Sequence, residues 1–118
     1  MMIKVKRVYE PASGEDGYRI LVDRLWPRGV SKERARLNLW LKEIAPSSHL
    51  RQWFSHDPDK WEKFKKDYLQ ELAKNHETVD KLTEILNSQK TVTLLYGTKN
   101  QQLNEAVIIK EFLEKNLS

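Results

Sequence analysis

The sequence predicts an α/β fold: a single domain with a small mixed or mainly parallel sheet of about four strands, flanked by helices. Three observations carry that expectation. β-forming runs occur at MIKVKRVY, YRILVDRL and TVTLLY. Between the second and third lie stretches whose apolar residues recur three and four apart, and another helical stretch follows the last run. At 118 residues the chain fits one domain over 1–118, long enough to build a core without disulfide or metal staples.

The elements follow in order. MIKVKRVY alternates apolar and charged side chains at Ile3, Val5 and Val8, as a half-buried strand should, and EPASGEDG breaks it. YRILVDRL is nearly uninterrupted from Ile20 to Val22, which suits a more central strand, and Pro27 and Gly29 end it. The link through residues 10–17 is shorter than a parallel crossover between neighbours needs, which favours a mixed sheet. Ser31 caps a short helix from Lys32. In LNLWLKEIA, strand and helix patterns overlap, and the reading here is a strand at 38–42.

Pro46, Ser47 and Ser48 open a short helix with Leu50, Trp53 and Phe54 on its apolar side. Asp57 and Pro58 open another, because an aspartate oxygen caps free amides and proline suits the first helical position. Its stripe of Trp61, Phe64, Tyr68 and Leu72 belongs in the core, and Val79, Leu82 and Leu86 repeat the pattern. TVTLLY at 91–96 is a buried strand, and a final helix runs from about Gln101 to Lys115.

Composition narrows the function classes. The chain is 39% hydrophobic and 32% charged, as soluble globular proteins are. It has no cysteine, which excludes disulfides, thiolate zinc ligands and a cysteine nucleophile. Its first residues lack a signal-peptide core, and no apolar run approaches the roughly 20 residues of a membrane span, so a cytoplasmic location is expected. The net charge of +4, from 21 basic and 17 acidic residues, permits nucleic acid as a partner without indicating it. No metal site, phosphate loop or dinucleotide fingerprint occurs, so no cofactor is expected.

Candidate site residues gather at two strand ends. VDRLWPRG delivers Asp23, Arg24, Trp26 and Arg28 into a turn, and YGTKNQQLN follows the last strand. If both strands are parallel neighbours, Tyr96, Lys99 and Asn104 join the first group on one rim, where open α/β sheets bind ligands. Guanidinium groups suit phosphate or carboxylate, and Trp26 or Tyr96 would stack on a ring. The competing reading is a salt-bridged turn with Asp23 paired to an arginine and Trp26 packed on the core. His56, in FSHDP, is the candidate proton-transfer residue. Adjacent Ser55, His56 and Asp57 cannot present the serial hydrogen bonds of a catalytic triad.

The stretches KRVYEPASGEDGYRILVDRLWPRGVSKE, WLKEIAPSSHLRQWFSHDPDKWEKF and TLLYGTKNQQLNEAVIIKEFL resemble the YeaO-like family, domain of unknown function 488. The resemblance covers most of the chain. It implies that Asp23, Arg24, Trp26, Pro27, Arg28, His56, Asp57, Tyr96 and Asn104 are signature positions, and it implies no settled activity. Relatives often carry a small residue, a basic residue and an aspartate after the last strand's tyrosine, with a histidine just before the asparagine. Here Gly97, Thr98, Lys99 and Asn100 follow Tyr96, and Leu103 replaces the histidine. That departure counts against a catalytic role needing either missing group and leaves anion binding by the arginines intact. The leading expectation is binding of a small phosphate-bearing or nucleotide-like anion, with enzymatic activity open. The rivals are a nucleic-acid-binding or regulatory protein, and an interaction module using Trp40 or Trp53.

Overall fold

The structure, a computed structural model, describes residues 2–117. The chain runs through β1 (Met2–Arg7), β2 (Tyr18–Leu21), α1 (Lys32–Ala35), β3 (Leu39–Trp40), α2 (Ser48–Phe54), α3 (Trp61–Lys74), α4 (His76–Ser88), β4 (Thr91–Tyr96) and α5 (Glu105–Leu117). The strand order is β1-β4-β2-β3, and all pairings are parallel. The sheet therefore lies at the parallel end of the expected range. The short link between β1 and β2 posed no obstacle, because β4 is inserted between them and they never pair.

Register places three strand ends side by side. Arg7 is level with Tyr96, and Leu21 with Leu95. The chain leaving β2 runs to β3 on one side, whereas the chain leaving β4 enters α5, which packs on β1 and β4. A crevice at the carboxyl ends of β4 and β2 follows from those opposite departures.

The two faces of the sheet differ. Ile3, Ile20, Val22, Val92, Leu94 and Tyr96 point into the main core, which Phe64, Tyr68 and Leu72 of α3, Leu82 and Leu86 of α4, and Ile108, Ile109 and Leu113 of α5 complete. Leu21 and Leu95 point the other way, into a smaller cluster with Val8, Val30 and Ala35. Burying a leucine or phenylalanine contributes about 1.5–3 kcal/mol, so the helix-covered face dominates the stability.

Capping residues act where the spacing placed them. Ser31 Oγ accepts from the Arg34 amide, and Ser47 Oγ from the Leu50 amide. Asp57 Oδ1 accepts from the Asp59 amide and starts a 3-10 turn at Pro58–Lys60 that leads into α3.

Two boundaries differ from expectation. The strand expected at 38–42 shrinks to β3, because Leu41 leads directly into a 3-10 turn at Lys42–Ile44. The final helix begins at Glu105 because Asn100 Oδ1 takes the amides of Gln102 and Leu103, holding that segment as a turn. Among the described residues, no helix is long and apolar enough to cross a membrane.

Candidate functional site

The carboxyl rim opens into a cleft of about 730 Å3, within the size range of small-molecule sites. Its floor comes from the strand ends. Arg7 closes β1, donating from Nε to the Thr98 carbonyl at 2.9 Å and from a terminal nitrogen to the Gly97 carbonyl at 3.3 Å. Tyr9 follows, and its hydroxyl donates to the Arg28 carbonyl at 2.7 Å, joining the loops after β1 and β2.

Beyond β2, Trp40 Nε1 donates to the Asp23 carbonyl at 2.7 Å and fixes the backbone that aims Asp23 into the cleft. Gly97 makes room for that carboxylate: a methyl group there would stand 2.8 Å from Asp23 Oδ2.

One wall is the 44–47 segment. Tyr68 Oη donates to the Ile44 carbonyl at 2.6 Å, and Glu71 accepts from both the amide and the hydroxyl of Ser47. Burial pushes the Tyr68 hydroxyl well above its ordinary titration range, so it stays protonated as a donor. Arg24 reaches across the held segment and donates to the Ala45 and Pro46 carbonyls at 3.1 and 3.3 Å.

The opposite wall begins in α2 with Arg51 and Phe54. Ser55 and His56 follow with φ of 45° and 57°, a left-handed pair that non-glycine residues hold at some cost. That bend sets an exposed His56 on the rim. Asp57 is turned away into its cap, so Ser55, His56 and Asp57 form no relay.

The predicted residues divide clearly. Asp23, Arg24, Arg28, Lys99, Asn104 and His56 all line the cleft. Arg28 and Lys99 are exposed there, and their cationic heads make no hydrogen bond or ion pair with the described residues. Asn104 is 2% exposed and its amide is committed, with Oδ1 capping Val107 and Nδ2 donating to Asn100.

Trp26 and Tyr96, expected to stack on a ligand, are not among the lining residues. Trp26 packs edge-on to Trp40 at 5.4 Å in the smaller cluster and donates from Nε1 to the Val30 carbonyl. Tyr96 is 3% exposed and shares the strand face of Val92 and Leu94. Burial raises its hydroxyl above the ordinary tyrosine range, with Glu10 adding to the effect. Trp40 is likewise committed by its bond to Asp23, and Trp53 is half-buried with the Lys60 and Lys63 amines over its ring.

Sequence reasoning missed Arg7, Arg51 and Glu105. Arg7 ends a strand parallel to the other two, so its place on the rim follows once β1 is known to be parallel. Glu105 opens α5 and lines the cleft with Asp23. Crowding by protein atoms, together with hydrogen bonding and charge repulsion from Asp23, holds the Glu105 carboxyl well above the usual carboxylate range, and Arg51 only partly offsets them. Glu105 thus holds its proton to higher pH than an ordinary glutamate does. Neither Asp23 nor Glu105 forms a salt bridge with a cleft cation. Asp23 therefore does not neutralise Arg24 or Arg28, as the salt-bridged-turn reading required.

Among the described residues, no group of three or more histidine, aspartate or glutamate side chains converges to hold a metal. The chain matches the family model described as "Inactive DUF488-N3 subclade" over residues 2–118. It is 45% identical over 113 residues to the uncharacterized protein YeaO of Escherichia coli strain K12, covering 96% of this chain and 97% of that relative. It is 35% identical over 113 residues to the uncharacterized proteins Rv3073c of Mycobacterium tuberculosis and Mb3100c of Mycobacterium bovis, covering 94% of this chain and 92% of each relative. No solved structure matches it significantly.

Proposed function

From the premise that the chain belongs to the YeaO-like DUF488 family, in the subclade described as inactive, we propose that it is a binding protein whose cleft holds a small phosphate-bearing anion. The observation that carries this reading is the convergence of Arg7, Arg24, Arg28, Arg51 and Lys99 on one cavity, with the Arg28 and Lys99 heads unspent. Opposing them are Asp23 and Glu105, and burial beside Asp23 holds the Glu105 carboxyl above the usual carboxylate range, so that it takes on its charge less readily. The surplus positive charge faces a concave, partly apolar space, where charge-assisted hydrogen bonds gain strength over their value in water.

The reading is one of binding rather than turnover. The subclade's description points that way, and His56 has no acid partner because Asp57 is committed as a helix cap. Arg7 and Arg24 hold the rim through backbone carbonyls, leaving Arg28, Arg51 and Lys99 to meet the ligand. A cysteine-free chain of this kind favours a cytoplasmic setting.

Calorimetric titration with inorganic phosphate in low-chloride buffer tests the reading. Saturable binding at one site is expected, and Arg28→Ala and Arg51→Ala should each weaken it by about tenfold. Titration curves without saturation, or affinities unmoved in both variants, would overturn it.

A further inference from the structure

Resting on that anion-binding reading, we propose that the ligand is a phosphate ester of a polyhydroxylated sugar, its phosphate held by Arg28, Arg51 and Lys99 and its hydroxyl groups by Asp23 and Glu105. The first argument is size. At about 730 Å3 the cleft is far larger than a lone tetrahedral anion fills, and Phe54 and Leu103 contribute apolar surface to it. A bare anion would leave that surface wet.

The second argument is the carboxyl pair. A site built only for anions gains nothing from carboxyl groups in its lining, because they repel the ligand. Here Asp23 and Glu105 line the same cavity and form no ion pair with the surrounding cations. Carboxyl oxygens accept hydrogen bonds, and sugar hydroxyls donate them.

The third argument is that the pair is positioned. Asp23 is seated in the space left by Gly97 and its backbone is tied to Trp40, while Glu105 is fixed at the start of α5 behind the Asn104 cap. A hydroxyl-bearing ligand meets groups already in place, which lowers the ordering cost of binding. The apolar side chains then cover the carbon face of the sugar.

Calorimetric titration of the unmodified protein with ribose 5-phosphate, pentyl phosphate and inorganic phosphate decides the question. Pentyl phosphate keeps the ester and the carbon count but lacks the hydroxyls. Ribose 5-phosphate should bind at least about tenfold tighter than pentyl phosphate. Asp23→Asn and Glu105→Gln should each erase that advantage while binding inorganic phosphate at least as tightly as the unmodified protein.

Equal affinity for ribose 5-phosphate and pentyl phosphate would overturn the sugar assignment and leave the anion-binding reading standing. An advantage that survives in both variants would also overturn it. Failure of all three ligands to bind would remove the anion-binding reading, and the sugar assignment with it. The ranking on the unmodified protein already decides the outcome, so the test does not depend on either variant folding.

Discussion

The two ends of β2 carry the same kinds of residue and use them in opposite ways. At its start, Arg19 is 4% exposed and donates from Nε and a terminal nitrogen to the Ala35 carbonyl, while its other terminal nitrogen bonds Asp16. Asp16 also takes the Ser13 amide at 2.9 Å and the Lys6 amine at 3.1 Å. Beyond its other end, Asp23 and Arg24 never meet, and Arg28 faces open space. Arginine and aspartate alone therefore do not mark a site. What separates the two clusters is that Asp16 and Arg19 pair with each other out of solvent, whereas Asp23 forms no ion pair with Arg24 or Arg28 and Arg28 stays exposed.

Breaking the closed cluster should have the largest effect. Asp16→Ala leaves the buried Arg19 guanidinium without its counter-charge and should cost about 3–5 kcal/mol in chemical denaturation. Asp23→Asn at the open end should cost far less, since no ion pair is lost. Comparable losses in the two variants would show that the contrast is wrong.

The second test uses pH. Burial alone would raise the Asp16 carboxyl, but the Ser13 amide, Lys6 and Arg19 outweigh it and hold the group below its ordinary value of 3.8. Its stabilising contribution is present above 3.8 and lost as pH falls through the lowered folded value. Glu105 behaves in reverse. Its contribution is full below its ordinary value of 4.5 and lost as pH rises through the raised folded value. Glu105→Gln should therefore flatten the stability profile above pH 4.5 and leave the acid limb intact, as urea unfolding across pH would show.

Smaller effects sharpen the boundary of the site. Trp26→Phe keeps an aromatic against Trp40 but leaves the Val30 carbonyl without its indole donor, costing about 1 kcal/mol in thermal or urea unfolding. Phosphate affinity should not change, and a marked loss would return Trp26 to the cleft. Arg28→Ala should be smallest in stability, within about 0.5 kcal/mol, because the side chain is exposed and makes no hydrogen bond or ion pair with the described residues. Its effect belongs to binding.

Much of this architecture was legible in the residues. Helix starts announced themselves through Ser31, Ser47 and Asp57, because a capping oxygen and the apolar spacing after it are local properties. The rim formed by Asp23, Arg24, Arg28 and Lys99 was legible because β2 and β4 end in polar turns. Tyr96 was misplaced although its parity with Val92 and Leu94 assigned it to the core face. Trp26 packs on the smaller cluster, as the salt-bridged-turn reading had it, against Trp40 of β3, a contact that spacing within the turn does not reveal. Arg51 and Glu105 escaped for a different reason: their positions depend on how helices dock, which side-chain spacing does not encode. Glu105 is one acid among several on helices in the sequence, and only the docking of α5 puts it in the cleft with Asp23.

The insertion of β4 between β1 and β2 also orders events in time. Met2 pairs with Thr91 and Tyr18 with Val92, so neither early strand meets its principal partner until synthesis has passed residue 91. Such distant pairings carry a loop-closure cost and slow sheet formation. On the ribosome, α2, α3 and α4 emerge while the centre of the sheet is still vacant. A chain ending before residue 91 would lack the strand that joins the other two, so the cleft comes into being only once β4 has been made.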